Sequence, residues 1–185
     1  MAEVLAKPTR KFATIDSAMS KGSKSDNTGL TKNYVDKDNY WHFAAKKLRI
    51  GPKDLIDIIF QLHADGFEMI GLEETMFTEA IEPFFKDECD IRNKYPFIVK
   101  LKHGGIMKET RIRGLIPRYE AGKIYHIEGE CDDLEDELLR FPNSVHDDVM
   151  DSAQYQLKIA EPYMPQSVSD NDLYDQDLYP EIFGG

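Results

Sequence analysis

The sequence predicts one α/β domain in which helices flank a mixed β-sheet. Two observations lead to this fold class: strand-like apolar runs come early, and helical patterns then alternate with further strands. The length of 185 residues and the 41% of hydrophobic residues suit a single domain with its own core. No apolar run approaches the roughly 18 residues of a membrane helix, and no secretory leader is evident. We therefore expect a soluble protein with no membrane partner.

The first elements are strands. Residues 12–15 form a nearly continuous apolar run, typical of a buried strand, that ends at Asp16. Residues 17–29 are small, polar and glycine-bearing, which predicts a turn. The runs 30–35 and 40–50 are expected to pair as strands across the short polar turn between them.

A helix and a second buried strand follow. Pro52 suits the first turn of a helix, and apolar residues at helical spacing continue to Leu62. Gly66 ends this helix. Residues 67–72 are again strand-like and stop at Glu73.

The alternation of helices and strands continues through the middle of the chain. We expect a helix over 75–88, with Pro83 able to kink it. Residues 96–101 predict another strand. A helix over 108–120 is expected despite Pro117.

The last predicted elements are a strand at 123–127 and helices at 132–140 and 145–160. Ser144 is expected to cap the final helix. The core stripe of that helix is predicted to consist of Met150, Ala153, Leu157 and Ala160.

These elements divide the chain into three parts. Residues 1–10 lack periodicity and are interpreted as a linker or chain end, and residues 11–161 form the folded domain. Residues 162–185 are acidic and lack periodicity, so we expect a flexible tail or one ordered only by a partner.

The two cysteines, Cys89 and Cys131, are too few for a disulfide framework, and neither belongs to a Cys-x-x-Cys pair. This usage fits a reducing cytoplasm. We expect both thiols to be buried like small hydrophobic side chains.

The net charge of −11 argues against nucleic-acid binding, but the charge is unevenly distributed. Residues 161–185 hold six acids and no Lys or Arg, which leaves −5 for residues 1–160. Residues 92–126 carry nine basic and two acidic residues and so form a local basic stretch, which can mark a DNA contact or simply a solvated face. The candidates to contact phosphates are Lys100, Lys102, Lys108, Arg111 and Arg113.

Carboxylates occupy the positions where α/β proteins place reactive groups. Asp16 and Glu73 directly follow buried strands, and the carboxyl ends of strands border a crevice. Asp147, Asp148 and Asp151 lie at the start of the final helix with spacings that place them on one face. Such acids can also be ordinary turn residues or partners of the helix dipole. As a set they favour a site for Mg²⁺ or Mn²⁺, which prefer oxygen ligands.

Four segments resemble one enzyme family. Residues 134–152, Leu-Glu-Asp-Glu-Leu-Leu-Arg-Phe-Pro-Asn-Ser-Val-His-Asp-Asp-Val-Met-Asp-Ser, resemble the motif of large terminase nucleases of tailed bacteriophages, in which a Glu-Leu-Leu…Phe-Pro segment leads into an Asp-Asp-x-x-Asp helix. Residues 70–77 resemble the strand that carries the family's catalytic Glu, and residues 14–18 the strand that carries its catalytic Asp. Residues 108–112 are similar to the family's segment that lies between the strand with the catalytic Glu and the final motif. The resemblance covers about residues 11–160.

The resemblance implies a ribonuclease H-like fold and a divalent-metal-dependent DNA endonuclease. It would cut double-stranded concatemeric viral DNA with little sequence specificity during genome packaging, in the cytoplasm of the infected bacterial host. Two Mg²⁺ or Mn²⁺ ions are expected. The implied catalytic residues and metal ligands are Asp16, Glu73, Asp147 and Asp148, with Asp151 as a further ligand or a supporting group.

The resemblance also implies partners. In the family a nuclease domain is joined to an ATPase motor domain and works with a portal and a small terminase subunit. This chain contains no GxxxxGK[ST] phosphate loop, so it matches the nuclease part alone. Two other interpretations remain open: another ribonuclease H-like nuclease, such as a junction resolvase or integrase core, and a non-catalytic docking module of the motor.

Overall fold

The computed structural model describes residues 9–17, 26–102, 104–143 and 147–162. The strands are β1 (Thr9–Ser17), β2 (Asp26–Asp36), β3 (Trp41–Ile50), β4 (Met69–Glu73), β5 (Ile98–Leu101) and β6 (Ile124–His126). The helices are α1 (Pro52–Ala64), α2 (Glu74–Met76), α3 (Glu82–Arg92), α4 (Lys108–Arg113), α5 (Ile116–Glu120), α6 (Asp132–Arg140) and α7 (Asp148–Ile159). A π-helical turn, Phe77–Ile81, joins α2 to α3.

The described strands form one sheet in the order β5-β4-β1-β2-β3-β6. β1 pairs antiparallel with β2, and β2 antiparallel with β3, whereas the other neighbours are parallel. Helices cover both faces of the sheet, because one core contains α1 and the other contains α6 and α7. The predicted class, α/β with a mixed central sheet flanked by helices, is confirmed.

Side chains of β1 alternate between these two cores. Ala13 and Ile15 pack in the core on the α1 side, whereas Phe12 packs in the core on the α7 side. Thr14 also faces α7, where its hydroxyl donates a hydrogen bond to the Ser152 carbonyl oxygen at 2.6 Å. Asp16 therefore lies on the α7 face at the carboxyl end of the strand, because alternate residues share a face.

A buried polar layer fixes α7 on the sheet. The Gln156 Nε2 group donates to Thr14 Oγ1 at 2.8 Å and to the Thr31 carbonyl oxygen at 3.2 Å. The Thr31 and Ser152 hydroxyls lie 2.7 Å apart and are hydrogen-bonded. These four side chains are fully buried. Buried polar groups need partners, so the layer favours one position of α7 along the strands.

β2 begins earlier than the sequence predicts. Residues 17–29 were expected to form a turn, but residues 26–29 belong to the strand. Gly29 suits a strand here because α7 crosses it closely. A Cβ atom at this position would lie 2.0 Å from the Asp148 carbonyl oxygen. Residues 18–25 lie outside the described part of the chain.

Two helices were predicted to continue through an internal proline, and both are interrupted. The helix expected over 75–88 begins at Glu74 and passes through the π-helical turn before it ends at Arg92. Pro83 follows that turn, and a wider turn suits a residue with no N–H to donate to the preceding turn. The helix expected over 108–120 divides into α4 and α5, with Pro117 in the first turn of α5.

The final helix differs from its prediction at both its start and its buried face. It was expected over 145–160 but spans Asp148–Ile159, with Asp147 as the N-cap residue. Ser144, the predicted cap, lies outside the described residues. Leu157 was assigned to the core stripe but is 41% exposed. Met150 and Ala153 are buried as predicted, and Ser152 and Gln156 are buried beside them, because the face of α7 that packs on the sheet combines the polar layer with apolar side chains.

Three further expectations concern ends and side chains. Cys89 and Cys131 are both buried, as predicted. β1 begins at Thr9, so its first two residues come from the segment assigned to a linker. The acidic tail from residue 163 onward lies outside the described residues. Within the described part of the chain, none of the helices is both long and apolar enough to cross a membrane.

Candidate active site

Two predicted site residues lie side by side at the carboxyl ends of parallel strands. Ile15 of β1 is paired in register with Leu72 of β4. Asp16 and Glu73 are the next residues of these strands. Leu72 packs on the α1 side, so Glu73 faces the α7 side as Asp16 does. The predicted ligand of β4 therefore faces the same side of the sheet as Asp16.

The start of α7 carries the other predicted carboxylates to the same edge of the sheet. Asp16 is paired in register with Gly29, and Gly29 touches the backbone of Asp148. Asp147 and Asp151 lie one helical turn apart, and both contact the same lysine ammonium group. The structure thus brings together carboxylates from β1, β4 and α7.

The pKa of Asp16 records this convergence. It is raised from 3.8 to about 7, first by burial and then by the negative charges of Asp151, Glu73 and Asp148, while Lys108 opposes the increase. The pKa of Tyr155, which is fully buried on α7, responds to the same charges. Burial raises the pKa of Tyr155, and the charges of Asp16, Glu73 and Asp151 raise it further. The carboxylates therefore lie close enough to disfavour one another's ionisation.

Lys108 partly neutralises the cluster. Its ammonium group contacts Asp147 Oδ1 at 2.5 Å and also contacts Asp151 Oδ2. Burial alone would lower the pKa of Lys108, but these two carboxylates outweigh burial and raise it. The pKa of Asp151 is also raised, mainly by burial, with Lys108 and Arg111 acting against the increase. One ammonium group thus occupies the space between two predicted metal ligands.

The chemistry of these side chains suits a divalent cation, although their present arrangement does not surround one. Carboxylate oxygens are the donors that Mg²⁺ and Mn²⁺ prefer, and burial together with the neighbouring negative charges disfavours the ionised form of Asp16 when no cation is bound. Among the described residues, no group of three or more His, Cys, Asp or Glu side chains is arranged to hold an ion. Lys108 contributes to this, because it draws Asp147 and Asp151 to itself. An ion would have to take over part of the role of the ammonium group.

Local hydrogen bonds orient Glu73. It is the N-cap residue of α2, and its Oε2 atom accepts a hydrogen bond from the Met76 amide at 2.7 Å. This bond fixes the carboxylate at the point where β4 turns into helix. A carboxylate held by one oxygen can still offer the other oxygen to a cation.

Sequence reasoning missed two charged residues beside the cluster. Glu137 of α6 is only 4% exposed, and its Oε1 atom lies 3.1 Å from the Lys47 ammonium group. The same ammonium group lies 3.6 Å from Asp148 Oδ2. One signal could have identified Glu137: it shares the inward face of α6 with Leu134, and a charged residue on such a face needs a specific partner.

The five basic residues expected to contact phosphates all pair with carboxylates. Besides Lys108, the pairs are Lys100–Glu82, Lys102–Glu74, Arg111–Asp151 and Arg113–Glu109. The Lys102 side chain is 70% exposed and so remains accessible, whereas the Arg111 side chain is only 8% exposed. Among the described atoms, Arg111 Nε and Nη1 are buried without a hydrogen-bond acceptor.

Comparison with known proteins gives similarities to solved structures. No family model matches this chain, and no curated protein matches it significantly. The HK97 bacteriophage large terminase shares 11% identity with a TM-score of 0.46, over 68% of this chain and 32% of that one. The fowlpox virus Holliday junction resolvase shares 14% identity with a TM-score of 0.45, over 80% of this chain and 96% of that one. This chain thus spans about a third of the length of that terminase and nearly all of the length of that resolvase.

Proposed function

We propose that this protein is a divalent-metal-dependent DNA endonuclease of the ribonuclease H-like superfamily. The observation that carries the proposal is the convergence of strand-end and helix-start carboxylates at one buried edge of the sheet, where burial, and then the charges of Asp151, Glu73 and Asp148, raise the pKa of Asp16 to about 7. Carboxylates placed together against their mutual repulsion are typical of cation sites. An all-oxygen ligand set favours Mg²⁺ or Mn²⁺.

The residues that would hold the metal ions are Asp16, Glu73, Asp147 and Asp148, with Asp151 as a further ligand or a supporting group. Two ions held there would supply Lewis acidity, which would favour attack by water on a phosphodiester and offset negative charge on the leaving oxygen. Glu73 keeps its orientation through the hydrogen bond from the Met76 amide. Lys108 gives up part of its contact with Asp147 and Asp151, and its ammonium group is then available to a phosphate.

The substrate we propose is double-stranded, concatemeric viral DNA, cut during genome packaging in the cytoplasm of the infected bacterial host. The motif resemblance supports this choice, because three of its four segments contribute to β1, β4 and α7, whose carboxylates converge here. Lys100, Lys102, Lys108 and Arg113 would hold the phosphate backbone, which positions DNA without reading its sequence, whereas the Arg111 side chain is too buried to reach it. The partners that follow are the ATPase motor domain of a full-length protein, a portal and a small terminase subunit.

Supercoiled-plasmid cleavage in Mn²⁺ or Mg²⁺ tests the proposal. We expect the parent protein to nick and linearise the plasmid, and Asp16→Asn to lose at least about two orders of magnitude in rate, since removing a ligand removes a metal ion's contribution. Asp136→Asn is the matched control, because Asp136 is exposed and pairs with Arg140 away from the site.

The outcomes separate the interpretations. Cleavage that persists in chelator, or in Asp16→Asn, would contradict the proposed site. A four-way junction cut much faster than linear duplex would assign the chain to the resolvases instead of the packaging nucleases. No cleavage, together with no metal binding, would leave the docking module as the better interpretation.

A further inference from the structure

The N-terminus of α7 is capped by a residue of another helix. The Val149 and Met150 amides donate hydrogen bonds of 3.0 and 2.9 Å to Glu137 Oε2 of α6. These are two of the amides from which an N-cap side chain normally accepts hydrogen bonds. Asp147 is the N-cap residue of α7, yet within the described structure its side chain makes no capping hydrogen bond.

The choice of cap changes what the Asp147 carboxylate can do. Aspartate is among the best N-cap residues, so Asp147 would be expected to turn toward its own helix. Instead it contacts Lys108 at 2.5 Å on the side of the carboxylate cluster. An aspartate that accepted the two α7 amides would point away from this position. Glu137 therefore leaves Asp147 available to a cation.

Glu137 is held firmly in this role. It is buried, and Lys47 balances its charge from 3.1 Å. Lys47 also approaches Asp148, so Lys47 links Glu137 to one carboxylate of the site. Burial raises the pKa of Glu137, while the Met150 amide and Lys47 act in the opposite direction.

We propose that Glu137 is a positioning residue of the metal site: by capping α7 it keeps the Asp147 carboxylate free to bind a divalent cation. The role in metal binding rests on the proposed function, whereas the capping exchange does not. Without Glu137, Asp147 would turn back to cap its own helix. The helix would then survive, and the metal site would lose a ligand.

The first experiment measures the exchange without metal. In chelator, thermal melting is compared for the parent, Glu137→Ala, Asp147→Ala and the double variant. In the parent background Asp147→Ala should change the melting temperature little, because Asp147 caps nothing and Lys108 keeps its contact with Asp151. In the Glu137→Ala background the same change should lower it by a further 2–4 °C or so, the effect of losing a helix cap.

The second experiment measures Mn²⁺ binding to the full chain by calorimetry. Glu137→Ala should weaken binding about tenfold, as expected when a residue that orients a ligand is lost. Asp147→Ala should weaken it comparably, and the double variant should be no weaker than either single variant. Glu137→Gln should retain most of the affinity, because its amide oxygen can still accept the two hydrogen bonds. Asp136→Ala, on the exposed side of α6, serves as the control.

Each result decides one part of the proposal. Equal effects of Asp147→Ala in both backgrounds would overturn the capping exchange, even if Mn²⁺ binds. Parent-like Mn²⁺ affinity in Glu137→Ala would overturn the positioning role. If the parent binds no Mn²⁺, the proposed function and the metal role of Glu137 both fail, while the melting experiment still decides which residue caps α7.

Discussion

The pKa of Asp16 is the property through which the electrostatics of the site are most easily measured. Burial, and then the charges of Asp151, Glu73 and Asp148, raise the pKa of the Asp16 carboxyl from 3.8 to about 7. Between these two values the folded protein binds a proton at Asp16 that the unfolded chain releases. The contribution of Asp16 to stability is therefore greatest at low pH and is lost as the pH rises toward 7 and above.

Asp16→Asn should accordingly stabilise the metal-free protein at high pH. At pH 8 in chelator we expect a gain of about 2 kcal/mol in the free energy of unfolding, since the ionised Asp16 is removed from its unfavourable surroundings. The gain should shrink progressively between pH 7 and pH 4. Urea denaturation at several pH values measures it, and Asp136→Asn is the control. A variant less stable than the parent at pH 8 would contradict the unfavourable ionisation of Asp16 in the folded protein.

Lys108 competes with metal ions for two carboxylates. Lys108→Met keeps the length of the side chain and removes its charge, so Asp147 and Asp151 lose the ammonium group that they share. A partly buried ion pair contributes about 1 kcal/mol, so we expect Mn²⁺ to bind roughly fivefold more tightly to the variant. Titration calorimetry tests this. Lys100→Met is the comparison, because Lys100 pairs with Glu82 outside the cluster. Weaker binding by Lys108→Met would mean that the lysine supports the ion.

At the residue scale the sequence predicted the carboxylates better than their counter-ions. The grouping of Asp16 with Glu73 follows from strand ends, and that of Asp147 with Asp151 from helical spacing, both of which are local patterns. Lys108 was predicted to contact phosphate because it lies in a basic stretch. Its contact with acids some forty residues later depends on how α4 packs against α7, which local patterns do not show. Whether these acids bind metal stays a prediction.

At the scale of elements, the crossing of α7 over β2 sets the distance between the carboxylates. The helix approaches so closely that a Cβ on Gly29 would lie 2.0 Å from the carbonyl oxygen and 2.4 Å from the carbonyl carbon of Asp148. Backbone atoms cannot turn aside as a side chain can. Any side chain at position 29 must therefore move the start of α7 away from β1 and from Asp16.

Gly29→Ala should destabilise the fold by about 1–3 kcal/mol, as expected for overpacking a dense core. It should also weaken Mn²⁺ binding, because the displaced helix carries Asp147 and Asp148. Gly71→Ala is a matched comparison, since the nearest atom to its new Cβ is a flexible methyl of Leu101 at 2.5 Å. Denaturation and calorimetry on both variants check this. Equal losses of Mn²⁺ affinity would contradict a special role for the contact at Gly29.

The elements themselves were predicted where local signals were strong. The bounds of α6 match the prediction of 132–140, because its apolar face and acidic first turn agree. The start of α7 was misplaced because its cap comes from Glu137 and not from a nearby residue. Its buried face was misjudged because Ser152 and Gln156 resemble solvent-facing residues in a pattern that counts only hydrophobic side chains. Both errors arise from partners distant in sequence.

At the scale of the whole molecule, the fold class could be predicted but the order of strands could not. Alternating strands and helices indicate an α/β domain from local patterns alone. The pairing of β6 with β3 joins residues some eighty positions apart, and it leaves β5 at the opposite edge. Hydrophobic periodicity carries no information about such neighbours. The order nevertheless matters for function, because it places β1 beside β4.

The stability of the whole chain should depend on metal in a way that an ordinary acidic surface would not. A ligand that binds only the folded state at a hundred times its dissociation constant adds about 2.7 kcal/mol, which for a chain of this size is a rise of about 5–11 °C in melting temperature. We expect this rise with Mn²⁺ for the parent at pH 8. Asp16→Asn should begin higher, because its crowding is relieved, and should gain much less.

The melting temperatures of the parent and of Asp16→Asn, plotted against Mn²⁺ concentration, should therefore give two curves that cross. In chelator the variant melts above the parent, and at saturating Mn²⁺ the parent melts above the variant. Asp136→Asn should follow the parent throughout, because its carboxylate lies outside the cluster. Parallel curves would contradict a metal site at Asp16. A buried acid that binds no metal would make the variant melt higher in chelator, but it would not make the parent melt higher in Mn²⁺. A crossing requires one carboxylate that is unfavourable alone and favourable beside a cation.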